Sequence, residues 1–239
     1  SADDNYVLDM DGKVADITGS PFTNPDLLNP GTHSMVIYNR AEGFTFDGRM
    51  ARVNAPDGKS RADGASVIPL PGYLKTVSQE ITVTADDTLR VNAVPMQRVR
   101  DLQLELEVTQ GRPELIQNVT ATLSGIAGVF DMEKGQTIGE PTSTVFSFTR
   151  DGSKLTADAR LLGTMGAVQT LVLDIVFTDG GRTQHTEVDL TEALADFNSD
   201  MTTAYRATGT LETPVGMEEG KGEITGWETG DEDDVNVTL

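Results

Sequence analysis

Two histidines, thirty-eight carboxylates and no cysteine set the covalent and acid–base chemistry that this 239-residue chain can offer. Imidazole is the side chain that changes charge near neutral pH, so His33 and His185 are the candidate bases. His185 lies in Arg182-Thr183-Gln184-His185-Thr186-Glu187, an alternating polar strand, and His33 follows Pro30-Gly31. Both settings predict solvated surface residues. The absence of Cys removes disulfides, thiolate zinc sites and a Cys nucleophile together. Nucleophile-elbow, P-loop and dinucleotide fingerprints are missing. The glycines of Gly220-Lys221-Gly222, with Gly226 beyond, sit in an acidic stretch rather than between a strand and a helix, which is no phosphate cradle. A glycosidase pair remains open on carboxylate number alone, but aromatic side chains, the usual sugar platform, make up only 5% of the chain. Asp9-Met10-Asp11-Gly12 and Gly230-Asp231-Glu232-Asp233-Asp234 supply hard oxygen ligands without the twelve-residue spacing of a calcium loop. They read as solvated charge. The expectation is a non-enzymatic chain with no metal site and no cofactor.

The elements that would carry any site are strands. Thr, Val and Ile form about a quarter of the residues, and side chains branched at Cβ are stiff at χ1 and pack well on a pleated surface. Leu102, Leu104, Leu106 and Val108 alternate with polar residues, as do Leu155, Ala157, Ala159 and Leu161. Period two means one face buried and one wet, the pattern of an antiparallel sandwich. Val119, Ala121 and Leu123 repeat it, and so do Thr144, Phe146 and Phe148. Residues 168–178 carry apolar residues on both faces, interrupted by Asp174, which predicts a central strand. It ends at Asp179-Gly180-Gly181, a hairpin signal that returns Arg182 to Val188 as its partner. Asp189, Glu192 and the stripe Leu190, Leu194, Phe197 predict one short helix.

The first 93 residues alternate less cleanly. Ser34 to Asn39, Ile81 to Thr84 and Leu89 to Ala93 read as strands, and 47–65, rich in Gly and Asp, as an exposed loop. Val94-Pro95 interrupts two strands and marks a domain boundary, giving 1–94 and 95–239. Trp227 reads as a core or inter-sheet anchor rather than a ligand platform. The polar start Ser1 to Asn5, without an initiator Met or signal peptide, predicts a mature or trimmed form. A net charge of −20 argues against nucleic acid or an anionic membrane face, both of which need a basic patch.

Read in order, Pro95-Met96-Gln97-Arg98-Val99-Arg100, Ala121-Thr122-Leu123-Ser124-Gly125-Ile126-Ala127-Gly128, Leu162-Gly163, Thr178-Asp179-Gly180-Gly181, Val188-Asp189-Leu190-Thr191 and Gly226-Trp227 form a succession. With Met35-Val36-Ile37-Tyr38-Asn39 and Ala41-Glu42-Gly43 in the first half, it resembles the fimbrillin-like lipoproteins of Bacteroidetes, in particular the fimbrial anchor or accessory subunits. The resemblance implies two tandem transthyretin-like Greek-key β-sandwiches, export to the outer membrane and cell surface, and a lipid anchor on a Cys that this chain does not contain. It also implies assembly with other fimbrial subunits and contact with host or bacterial surface ligands: stalk subunits of the family polymerise by strand exchange after an Arg-specific protease removes an early strand, whereas anchor subunits keep that strand and terminate the fibre. Candidate cleavage positions are Arg40, Arg49, Arg52 and Arg61. Val235, Val237 and Leu239 alternate as a donated strand should, and Tyr6, Val7 and Leu8 form a second candidate. For each end the other reading is an ordinary strand paired within its own domain. The competing function is a surface lipoprotein that binds glycans for uptake, for which one Trp and four Tyr are a thin supply of aromatic faces.

Overall fold

The computed structural model describes residues 5–55, 66–178 and 183–213, together with the backbone of 224–230. These residues are all-β, as the composition and periodicity predict. The first half contributes β1 (Tyr6–Met10), β2 (Lys13–Asp16), β3 (Gly31–Asn39), β4 (Phe44–Asp47), β5 (Met50–Val53), β6 (Val67–Ile68), β7 (Lys75–Val83) and β8 (Met96–Gln97). The second contributes β9 (Arg100–Gln110), β10 (Ile116–Ile126), β11 (Val129–Asp131), β12 (Gln136–Ile138), β13 (Thr142–Asp151), β14 (Lys154–Leu161), β15 (Thr170–Phe177), β16 (Thr183–Asp189), β17 (Tyr205–Glu212) and β18 (Ile224–Gly230).

The alternating strands build the largest sheet, ordered β16-β15-β10-β13-β14-β9-β17-β18 with β6 beside β13. Residues up to Phe148 of β13 pair with β10, while Thr149 to Asp151 pair with β14, so this strand turns the corner between two packed layers. On the inner face the β9 leucines each have at least one small neighbour. Leu104 lies between Ala157 and Ala207, and Leu106 between Leu155 and Gly209. Each Leu so buried contributes roughly 1.5–3 kcal/mol from apolar area alone. β15 pairs with β10 on one side and β16 on the other, the central placement its two-sided apolar pattern predicts.

A second sheet runs β2-β1-β3-β7-β8. One face of its centre, Val7, Val36 and Tyr38, joins the main core, and the other packs Leu8, Met10, Met35 and Ile81 under Ile17, Phe22, Leu28 and Ala93. A strand covered on both faces shows no alternation. That is why β1 is hard to read in the sequence. The third sheet, β12-β11-β5-β4, takes two strands from each side of the 94–95 boundary. β5 pairs with β11, and β6 runs parallel to β13.

Three local expectations need correction. Residues 47–53 are not an exposed loop: Met50–Val53 forms β5, and Ala51 and Val53 are buried. Leu89 to Ala93 forms no ladder. The expected helix after Asp189 is a run of turns. The Leu194 N–H does donate to the Leu190 carbonyl at 2.9 Å, but the following bonds, Ala195 to Glu192, Phe197 to Leu194 and Ser199 to Asp196, are of the tighter i→i−3 kind. At the end of this run Arg100 donates to the Asp196 and Phe197 carbonyls at 3.4 and 2.7 Å, the acceptors that a continuing helix would offer to residues 200 and 201. The apolar stripe survives the change, with Leu190, Leu194 and Phe197 fully buried.

Candidate functional site

The polar side chains concentrate where the second and third sheets meet. Asp9 lies on the core-facing side of β1, and only 2% of its side chain is exposed. Arg49, at the β4–β5 turn, reaches it with Nε and Nη2 at 3.2 and 3.0 Å from one carboxylate oxygen. Nη2 also donates to the Ser34 carbonyl at 2.9 Å, and Nη1 to the Ser34 hydroxyl at 2.5 Å and the Glu133 carboxylate at 2.6 Å. The Gly12 N–H donates to the same Asp9 oxygen at 2.8 Å. One guanidinium therefore ties β1, β3, the β4–β5 turn and the β11–β12 turn together. Burial works against its charge, but the Asp9 and Glu133 carboxylates prevail and hold its pKa above the ordinary value.

His33 sits beside this cluster with both ring nitrogens on acceptors, Nδ1 at 2.5 Å from Asp11 and Nε2 at 2.8 Å from the Asn29 carbonyl. Two acceptors favour the imidazolium, which carries two N–H groups. Its pKa is raised, chiefly by the Asp11 bond, and Asp11 is lowered by His33 and by the Ser34 N–H. At the end of β11, burial pushes Asp131 up, yet the Lys134 and Glu133 amides and the Lys134 ammonium outweigh it and hold the carboxyl below its ordinary value. His185 pairs with Asp174 at 2.8 Å on the exposed face of the largest sheet. What this arrangement does chemically is join strands: its donors and acceptors are spent on one another and on backbone. Among the described residues no three acidic or imidazole side chains converge as a metal site.

Sequence reasoning missed Arg100. It lies in β9 in phase with Leu102, Leu104 and Leu106 and is only 1% exposed. Its Nε donates to the Thr203 carbonyl at 2.7 Å and its Nη2 to the Thr203 hydroxyl at 3.2 Å, and its guanidinium lies 4.7 Å from the Tyr205 ring centroid and 5.5 Å from that of Phe197. The signal was parity: an Arg in phase with the buried row.

The strand-exchange and cleavage candidates fall in different settings. Tyr6, Val7 and Leu8 belong to β1, which pairs with β2 on one edge and β3 on the other. Val235, Val237 and Leu239 lie outside the described residues, as do Arg61, the 179–181 turn, the 231–234 acidic run and the Trp227 side chain. Arg40 follows β3 and pairs with Asp16 at 2.6 Å on the surface, and Arg52 is exposed on β5. Arg49 is held in the buried cluster, with only 13% of its side chain exposed.

No family model matches the sequence, and neither does any curated protein. Solved structures do match the fold. A candidate adhesin from Bacteroides ovatus superposes with a TM-score of 0.66 at 16% identity, covering 91% of this chain and 85% of its own. The fimbrial anchor protein Mfa2 from Porphyromonas gingivalis gives 0.61 at 10% identity, over 95% of this chain and 88% of that one. Another candidate adhesin from Bacteroides ovatus gives 0.58 at 8%, over 97% and 89%. At such identities the shared property is the fold. The chain thus has the all-β fold of fimbrial-anchor and adhesin-type proteins of Bacteroidetes, the group that its short motifs resemble.

Proposed function

We propose that this chain is a non-enzymatic subunit of a cell-surface fimbria, in the anchor, accessory or adhesive position, and that it assembles with other fimbrial subunits by β-strand pairing. One observation carries the reading: the backbone follows a fimbrial anchor protein over 95% of its length. Export to the outer membrane and a lipid anchor upstream of this sequence belong to the same reading. So does donation of the terminal strand containing Val235, Val237 and Leu239, whose alternation suits an apolar groove with open backbone groups on either side. Tyr6, Val7 and Leu8, with cleavage at a loop arginine, form the complementary half of the proposal.

The test is expression from the native gene, with and without the codons for Val235–Leu239, in the producing cells, followed by shearing of surface fibres. The full chain is expected in the fibre or outer-membrane fraction. The deletion should leave the fibre fraction while its purified form melts as the full chain does. A full chain confined to the cytoplasm overturns the reading.

A further inference from the structure

β7 is paired along one side with β3, from Tyr38↔Thr76 to Gly31↔Val83. On its other side it meets β8 at Lys75↔Gln97 and Thr76↔Met96, preceded by the Arg98 N–H on the Leu74 carbonyl at 2.7 Å. Beyond Thr76 this edge has no backbone partner among the described residues. Bonded and non-bonded pairs alternate along an antiparallel ladder, so the Leu74–Arg98 bond shows which residues turn outward. They are Leu74, Thr76 and then Ser78, Glu80 and Thr82, whose N–H and C=O groups line an open edge.

After β7 the chain reverses at 84–88, where Asp86 takes a left-handed φ of 58° and the Thr88 N–H bonds the Asp87 carboxylate at 2.7 Å. Residues 89–95 then run back toward β8 unpaired. Carrying the β7–β8 register forward places Val77 opposite Pro95, Gln79 opposite Ala93, Ile81 opposite Val91 and Val83 opposite Leu89. Each feature of the segment suits that placement. Leu89, Val91 and Ala93 would share the face of Ile81, Leu8, Met10 and Met35, a small cluster that Ala93 already touches. Pro95 falls at a non-hydrogen-bonded position, where its missing N–H points away from β7 and the ladder loses nothing. Arg90 falls on the other face, diagonal to Glu80. Left unpaired, the segment keeps Leu89, Val91 and Val94 exposed at 47%, 38% and 68%.

We propose that residues 89–95 are a switchable edge strand, which docks on β7 in this register and closes the edge at Ser78, Glu80 and Thr82. Docked, it blocks that edge against another chain and completes the small apolar cluster. Released, it leaves both open. The proposal concerns the molecule's own edge and stands apart from the fimbrial reading.

The chain has no Cys, so paired thiols report cleanly. A non-hydrogen-bonded cross-strand pair brings Cα atoms within disulfide range, and Gln79→Cys with Ala93→Cys makes such a pair in the docked state. Mild oxidation of the folded full chain should cross-link it within one molecule and slow hydrogen exchange at Ser78, Glu80 and Thr82 by about tenfold or more. Gln79→Cys with Asn92→Cys, on opposite faces when docked, should cross-link far less. Equal cross-linking of the two pairs, no cross-link although both thiols react with maleimide, or a cross-link without slowed exchange overturns the proposal. Should the cysteine variants fail to fold, exchange in the unmodified chain decides. Measurable protection at those three amides supports docking, and rates equal to those of an unstructured peptide overturn it.

Discussion

Replacing Arg100 by Met keeps most of the side-chain volume and removes the guanidinium that binds the 196–203 segment to β9. Two bonds are short, 2.7 Å to the carbonyls of Thr203 and Phe197. Each carbonyl stranded in a dry interior costs about 1–3 kcal/mol, and loss of the cation from between the Tyr205 and Phe197 rings costs up to about 2 kcal/mol more. Against this gross loss of ~2–8 kcal/mol stands relief from burying a charge, together with the apolar packing that Met restores. A net loss of about 4 kcal/mol follows, which for a chain of this size lowers the melting temperature by roughly 8–16 °C. The Arg100→Lys variant would retain the charge but offer its donors from a single point, without the planar stack, and should fall between. Thermal melts by circular dichroism measure the loss, and limited proteolysis should show early cleavage within 196–204. An Arg100→Met protein within ~1 kcal/mol of the parent, with no new cleavage there, would refute the reasoning.

Neutralising Arg49 with Gln should cost about 3–5 kcal/mol by leaving the buried Asp9 carboxylate unpaired. Adding Asp9→Asn should recover part of that, a coupling read from urea midpoints in a double-mutant cycle. The pH dependence of His33→Asn follows from the signs of two shifts. The raised pKa of His33 makes its contribution complete below 6.5 and lost as pH rises through the folded value, whereas the lowered pKa of Asp11 makes its contribution complete above 3.8 and lost as pH falls. The stability gap between parent and variant should therefore be wider at pH 5.5 than at pH 9 in urea titrations. A gap independent of pH would remove the ion pair from the account. Gly125→Ala should destabilise by about 2–4 kcal/mol, because φ there is +75° and the added Cβ would collide with the Val168 carbonyl at the β10 bulge. Calorimetry would show this directly.

How far such features can be read in advance depends on local geometry. β9 and β14 are legible because each buries one face and wets the other, so Leu102 to Val108 and Leu155 to Leu161 state their pleat outright. β1 is not, because Val7 and Leu8 are buried on opposite faces. β11 and β12 are three residues each, too short for any period to register. The stripe through Leu190, Leu194 and Phe197 is legible as buried, but the end of its run is held by Arg100, a residue 96 positions from Asp196. The ionic cluster is further from reach: Arg49 and Asp9 are 40 positions apart and Arg49 and Glu133 are 84 apart. No spacing rule brings such pairs together. Only Arg100 leaves a local trace, through its phase with the leucines.

The parallel pairing of β9 with β17 has a consequence for the time at which the molecule becomes itself. Arg206 meets Gln103 across 103 positions of chain. A ribosome adding ~5–20 residues per second needs about 5–20 s to cover that distance. Throughout that interval the row Leu102, Leu104 and Leu106 lacks one flank of its sheet, and the Arg100 guanidinium lacks the Thr203 carbonyl. Synthesis thus delivers β17 long after β9, and through that interval the nascent chain lacks this flank and stays open to being carried elsewhere.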